Sequence, residues 1–246
     1  MNATIINTSL TNDGFVIIDL LDDKEIALLN TLAEKYLASS QQDFIASSHI
    51  LSLEDSKKIN DTLHQIIAPK AKILFPELSL LGGTLATKTK GNSILKAHND
   101  WSIVDETKYN SYNLWIPLVD TSKTNGTLGM VAGSHLWKHN ARGLNIANEF
   151  ESQTNNFLKI GYEPDLKAGQ AILYNHKLIH YSRPNTTINP SNVAIIGMKH
   201  KDAELLVSFS LDNKTIETYA VSDEDFYRFD AKKIKLNRPL INRYSL

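Results

Sequence analysis

The chain opens with two kinds of apolar pattern. Asn12-Asp13-Gly14 is a turn signal, and the unbroken apolar run Phe15-Val16-Ile17-Ile18 after it reads as a short buried strand. Apolar positions then take up a helical period. Asp22 stands three residues ahead of Glu25, a capping-box arrangement, and Ile26, Leu29, Ala33, Tyr36 and Leu37 form the apolar face of the helix it starts. A second helix begins near Ser52 and carries Ile59, Leu63, Ile66 and Ile67 on one side. Pro69 is expected to stop it, because an interior proline removes a hydrogen bond and crowds the preceding turn.

From Leu78 the texture changes to short segments rich in Ile, Val, Thr and aromatics, separated by Gly, Asn, Asp and Pro. The expected strands are Thr84–Lys90, Ile94–Trp101, Tyr112–Leu118, Leu128–Val131, Gln170–Tyr174, Leu178–Ser182, Val193–Lys199 and Leu205–Ser210. Regularly spaced short strands predict a sandwich or barrel, so the fold class is mainly β with N-terminal helices packed on the outside of one core. No repeat or flexible linker divides the chain. We expect one domain over 1–246, with a helical flank at 1–77, a β core at 78–212 and a C-terminal extension at 213–246. The basic stretch Lys232-Lys233-Ile234-Lys235 through Arg238 and Arg243 reads as a solvated tail.

Composition narrows the function. The 246 residues carry 26 Lys+Arg against 27 Asp+Glu, so nothing advertises a nucleic-acid partner. The absence of cysteine excludes disulfides, zinc–thiolate sites, iron–sulfur clusters and thiol catalysis, leaving His, Asp, Glu and backbone oxygen as metal ligands. No apolar run is long enough for a membrane span, and Met1-Asn2-Ala3-Thr4-Ile5-Ile6 lacks the basic start and apolar middle of a secretory signal. The Asn-x-Ser/Thr triplets beginning at Asn2, Asn7, Asn60, Asn125, Asn185 and Asn213 are then chance products of composition, and a cytoplasmic location is expected.

Among the eight histidines, position is the filter. His98 and Asp100 lie two apart at the end of an expected strand, where both side chains project from one face. A third ligand would have to come from a facing strand, and His180 is the best choice. His176 has the same strand parity and remains a rival on periodicity alone. Two histidines and one carboxylate form the facial triad that suits non-haem Fe(II) and leaves positions open.

Several motifs follow one another in a familiar order: Asp13-Gly14-Phe15-Val16, His98-Asn99-Asp100-Trp101, and Leu114-Trp115-Ile116-Pro117-Leu118-Val119-Asp120. Asn125-Gly126-Thr127-Leu128, Gly133-Ser134-His135, Lys167-Ala168-Gly169-Gln170 and His180-Tyr181-Ser182-Arg183-Pro184-Asn185 come after them. Together, from about residue 11 to about residue 225, they resemble the phytanoyl-CoA dioxygenase family of Fe(II)- and 2-oxoglutarate-dependent oxygenases, in particular its small bacterial members. The resemblance implies a double-stranded β-helix, the jelly roll of cupin-like proteins, with the metal at its open end. It makes His98, Asp100 and His180 the iron ligands, with no further catalytic residue. His176 is then no ligand, and His135 fixes a loop. The cofactor implied is Fe(II), with 2-oxoglutarate and O2 as cosubstrates. Asn113, Trp115 and Ser182 fall on positions near the cosubstrate, and Lys88 lies where many relatives carry a basic residue.

One departure stands out. The family anchors the distal carboxylate of 2-oxoglutarate with an arginine about a dozen residues after the distal histidine, using the bidentate grip of a guanidinium. Here Ser191 or Asn192 occupies that position, which leaves Lys88 or Arg183, helped by Ser182, to supply the charge. The implied activity is oxidation of an unactivated C–H bond of a small metabolite, with release of succinate and CO2. Asp100 fills the place that halogenating relatives leave open for chloride, so hydroxylation or a related oxidation is expected. The alternatives are an iron-dependent cupin-like enzyme that ignores 2-oxoglutarate, and a non-catalytic metal- or ligand-binding protein that has kept the fold. The expected partner is a small-molecule substrate, with no nucleic acid and no membrane.

Overall fold

Alternation of side chains along three central strands organises the molecule, whose computed structural model describes residues 3–38, 42–223, 225 and 231–245. Strands β1 (Phe15–Asp19), β7 (Gln170–Asn175), β5 (Ser111–Pro117), β9 (Ser191–His200), β3 (Leu78–Lys88) and β2 (Phe44–Ala46) pair in that order, every neighbour antiparallel. On β5, Leu114 and Ile116 face outward while Trp115 faces inward; on β7, Ala171 and Leu173 face outward while Ile172 and Tyr174 face inward. On β9, Ala194, Ile196 and Met198 face out and Val193 faces in. A sheet apolar on both faces must be covered on both.

Helices cover the outer face. α1 (Ala3–Asn12) precedes β1, and α2 (Asp23–Leu37) starts as its capping box dictates. Asp22 Oδ1 accepts from the Lys24 and Glu25 amides, and Glu25 Oε2 accepts from the Asp22 amide, each at 2.9 Å. After the short α3 (Ser47–Ile50), α4 (Leu53–Leu74) brings Ile59, Leu63 and Ile67 against Leu85, Leu114 and Ile196.

A second sheet, β4 (Leu95–His98), β8 (His180–Ser182) and β6 (Leu128–Met130) in the order β4-β8-β6, covers the inner face. Leu128 and Met130 pack there against Trp115, Ile172 and Tyr174. Two facing antiparallel sheets make the double-stranded β-helix that the resemblance implied. Behind the second sheet, α5 (Thr154–Ile160) sets Phe157 beside Phe150, Ile179 and Tyr181. Among the described residues, no helix is long and apolar enough to cross a membrane.

Three expectations change. The flank at 1–77, expected to be helical apart from the strand after Gly14, supplies a second strand, β2, so both edge strands of the large sheet come from it. The basic C-terminal stretch is not a solvated tail. It forms α6 (Ala231–Asn237) and β12 (Leu240–Ser245), and β12 joins β10 (Leu205–Phe209) and β11 (Thr215–Val221) in a third sheet. Glu217, 5% exposed, accepts from Lys235 and Arg243 at 2.6 Å each, and Arg238 pairs with Asp225 at 2.8 Å. Cations that looked free in the sequence are matched by carboxylates out of its local reach.

Pro69 does not stop α4, which continues to Leu74. Pro69 and Gln65, whose carbonyl loses its partner, are both exposed, so water can take the bond. The buried stripe runs on to Ala71, and its packing carries the helix through the proline. Replacing Pro69 with Ala restores a helical hydrogen bond at a site already helical. Pro69→Ala should therefore raise the unfolding free energy by about 1–2 kcal/mol, after subtracting the entropy that proline removes from the unfolded chain. Urea unfolding checks this, and an unchanged or lower midpoint contradicts it.

Candidate metal centre

The register between β4 and β8 sets His98 directly opposite His180, with ring centroids 4.2 Å apart. On β8, Tyr181 points away from the large sheet, so His180 and Ser182 point toward it. Each histidine is fixed by its own strand: Nδ1 of His98 donates to the Lys96 carbonyl at 2.7 Å, and Nδ1 of His180 donates to the Leu178 carbonyl at 3.0 Å. A carbonyl can only accept, so both protons sit on Nδ1 and both Nε2 lone pairs are free.

Asp100 completes the triangle, though not as strand parity suggested. β4 ends at His98, because the Asp100 amide donates to the His176 carbonyl (2.9 Å) rather than to the ladder. The Asp100 carbonyl accepts from Arg142 Nε at 2.6 Å, and Asn113 Nδ2 donates to Oδ2 at 2.9 Å. That leaves Oδ1, which stands 4.0 Å from His98 Nε2 and 3.8 Å from His180 Nε2. Ligand atoms from the three residues all lie within 4.8 Å of one another.

Protonation states suit a divalent cation. Burial raises the Asp100 carboxyl, but attraction to His180, His176 and His98 and the Asn113 hydrogen bond outweigh it and hold the group at about 2. Burial, and then the neighbouring His98, lower His180 to about 4. At neutral pH the carboxylate is ionised and the His180 ring neutral, as ligation requires. Two imidazoles and a carboxylate without sulfur fit Fe(II) and its divalent neighbours.

The rival His176 is not part of the triangle. Its Nδ1 shares a hydrogen bond with Ser111 Oγ (2.9 Å), and it serves the site through its backbone carbonyl. His135 sits in the loop after β6, 5% exposed, with Nε2 bonded to the Thr11 carbonyl at 3.2 Å. Its ring occupies the space a Cβ at Gly14 would need.

A cavity of about 160 Å³ opens from the triangle between the two sheets, lined by Lys88, Asn113, Trp115, Ser182 and Ser191 among others. Lys88, 6% exposed, donates to Ser182 Oγ at 2.6 Å and to the Arg183 carbonyl at 2.8 Å. No carboxylate lies within ion-pair reach of it among the described residues, and burial lowers its ammonium to about 8. Two of the sequence expectations fail here. Arg183 is turned away, bound to Glu163 Oε1 and the Leu158 carbonyl at 2.7 Å each. Asn192 lies on the outer face, accepting from Thr87 at 2.8 Å and donating to Asn30 at 3.0 Å. Its neighbour Ser191 has the inward parity.

Sequence reasoning missed the buried Arg142, which holds the Asp100 backbone and is itself held by the half-buried Glu106. Arg142 lies 42 residues beyond Asp100 in an irregular loop with no motif around it. Tyr174, whose ring lies 4.7 Å from that of His180, was read only as a strand residue.

The sequence profile of the phytanoyl-CoA dioxygenase (PhyH) family matches residues 11–190. The chain belongs to this family. No curated protein matches it by sequence. Solved structures similar in fold include the epimerase SnoN in complex with Fe3+, alpha ketoglutarate and nogalamycin RO, at 19% identity and a TM-score of 0.62, covering 82% of this chain and 85% of SnoN. EvdO2 from Micromonospora carbonacea var. aurantiaca, complexed with 2-oxoglutarate, is 16% identical with a TM-score of 0.59, covering 80% and 90%. HygX from Streptomyces hygroscopicus, with nickel, 2-oxoglutarate and hygromycin B bound, is 16% identical with a TM-score of 0.57, covering 80% and 87%. The likeness to each is one of fold. In this chain the pairing of β4 with β8, which includes an irregularity between Leu95 and His98, sets the two histidines opposite each other.

His98→Ala, Asp100→Ala and His180→Ala should each abolish high-affinity Fe(II) binding, whereas His176→Ala should leave it within about fivefold, the scale of one hydrogen bond. Iron content after anaerobic reconstitution is the measurement. Full iron content in the His180 variant rules this ligand set out.

Proposed function

We propose that the chain is a non-haem Fe(II)- and 2-oxoglutarate-dependent oxygenase that oxidises a C–H bond of a small-molecule metabolite. Family membership supports the class of reaction, and the metal triangle beside a buried, unneutralised lysine supports its details. His98, Asp100 and His180 would hold the iron. Bound iron supplies the dioxygen chemistry that couples decarboxylation of 2-oxoglutarate to oxidation of substrate, with release of succinate and CO2.

The protein's own work is positioning and charge. Lys88 at the far wall of the small cavity is the natural partner for the distal carboxylate, with Ser182 and Ser191 adding hydroxyls. A buried ammonium without a counter-ion is costly, and a carboxylate entering beside it relieves both charges. Asn113, held between Asp100 and Tyr174, fixes the carboxylate ligand, and Trp115 closes the cavity wall. The missing arginine was the reason to consider a non-catalytic binding protein, and the buried ammonium of Lys88 in the small cavity supports the catalytic reading against it. Asp100 supports hydroxylation or a related oxidation over halogenation. We read the whole chain as one such domain, in the cytoplasm, with a small molecule as its partner and no nucleic acid or membrane.

The deciding experiment is an anaerobic 2-oxoglutarate titration with Fe(II). Lys88→Met should weaken binding about a hundredfold or more, because it strands the distal carboxylate, while Arg183→Ala should change it little. The Lys88 variant should unfold no more easily than the parent, since it removes an unpaired buried charge. If the parent protein fails to bind 2-oxoglutarate, the proposal falls.

A pH dependence follows from the same lysine. With its ammonium lowered to about 8, Lys88 is mostly charged at neutral pH in the free protein. Above that value the amine is neutral, and the cosubstrate must bring in a proton to regain the ion pair. Affinity should be flat below neutrality and about tenfold weaker by pH 9. The Lys88→Met variant should lose this slope, and a parent that keeps full affinity at pH 9 argues against Lys88 as the anchor.

A further inference from the structure

A second and larger cavity, of about 810 Å³, meets the small one at Asp100, Asn113 and Ile195. It lies on the substrate side of the metal triangle if the proposed function holds. Its floor is the inner face of the large sheet where β3 pairs with β9, and three of the residues there are glycines. Gly83 faces Leu63 on the helical side, and its neighbour Gly82 lines the cavity. Gly197, on the adjoining strand, faces Leu81 and Asn113. Gly82, inside the bulge between Leu80 and Gly83, and Gly197 both line the cavity, and a large side chain at Gly82 would take up part of its space.

The lining mixes apolar side chains with hydroxyls, one amide and two histidines, His49 and His176. Ser47, Ser48 and Thr84 form a hydroxyl cluster at one end, with Ser47 Oγ 2.8 Å from Thr84 Oγ1. Trp101 and Ile103 form the opposite wall. His176 lines it beside Asp100, 4% exposed, and its Nε2 has no hydrogen-bond partner. Among the described residues, no lysine or arginine lines this cavity and Asp100 is its one carboxylate. A phosphate or carboxylate carried deep into it would lose water and meet no cation, which costs several kcal/mol. A hydroxyl group would find donors and acceptors on both sides. An indole offers a flat face against which a sugar or aromatic ring packs.

We propose that this cavity seats an uncharged, hydroxyl-bearing ring compound of the glycoside type, its ring against Trp101 and its hydroxyls toward the Ser48–Thr84 end and His176, and that it disfavours acyl-CoA thioesters. The volume is that of a cavity for a molecule of two or more rings. The assignment rests on the oxygenase reading for which side is substrate, but its binding chemistry can be measured separately.

The probes are arbutin, a neutral aryl glucoside, and octanoyl-CoA, each titrated by saturation-transfer NMR onto the anaerobic protein loaded with Fe(II) and 2-oxoglutarate. Arbutin should bind and octanoyl-CoA should not. Gly82→Trp should weaken arbutin at least tenfold by taking up part of the cavity, with 2-oxoglutarate affinity unchanged. Thr84→Val, which keeps the shape and removes a hydroxyl, should weaken it about fivefold, one hydrogen bond's worth. Tighter binding of octanoyl-CoA than of arbutin, no binding of arbutin, or full arbutin affinity in both variants overturns the proposal. Arbutin binding without 2-oxoglutarate binding would instead sink the oxygenase reading and leave this one standing.

Discussion

The antiparallel register between β4 and β8 is the constraint on which the site depends. Strand pairing is quantised: a slip of one residue turns every side chain to the other face. With His98 opposite His180, both rings enter the space between the sheets, and each Nδ1 is tied to a carbonyl two residues back on its own strand. The metal geometry is therefore inherited from backbone hydrogen bonding and owes little to side-chain choice around it. Asp100 is the exception. It lies past the end of β4 and is held by three separate contacts, from His176, Arg142 and Asn113.

This difference explains what could be read from the sequence. The eight core strands from β3 to β10 were legible because their alternation and turn residues are local signals, and the histidines on them came with the strands. The Asp22 capping box was legible for the same reason. Pro69 misled because proline's local penalty was weighed without the buried stripe that overrides it. The C-terminal sheet misled because the partner of Lys235 and Arg243 is Glu217, a carboxylate some 20 residues away on another strand. Arg183 looked available beside His180, and only the fold reveals that Glu163 holds it. Motifs record what neighbours in sequence do together, whereas buried charges are matched by neighbours in space.

Lys88 and the glycine-floored cavity divide the interior electrostatically. On one side of the triangle lies a small cavity with a cation at its wall. On the other lies a larger one with no lysine or arginine among the described residues, lined by hydroxyls, histidines and apolar side chains that include an indole. On the proposed reading, two ligands of different charge would be sorted between them, because each would be poorly solvated in the other's place.

The link between the His176 carbonyl and the Asp100 amide has a further consequence for how such a protein can change over time. It binds the carboxylate ligand to the same β7–β8 connection that carries His180, so two of the three ligands take their position from one short turn. A residue inserted between Asn175 and His180 would displace both at once and dismantle the centre. The long connection between β6 and β7 supplies Arg142, and Ser134, Asn148 and Thr154 tie it to Ile179 and Ala97 beside the two histidines, so only the exposed stretches between these anchors are free to change length. Variation in loop length should accumulate there, where the chain can acquire new contacts to a substrate without disturbing the metal.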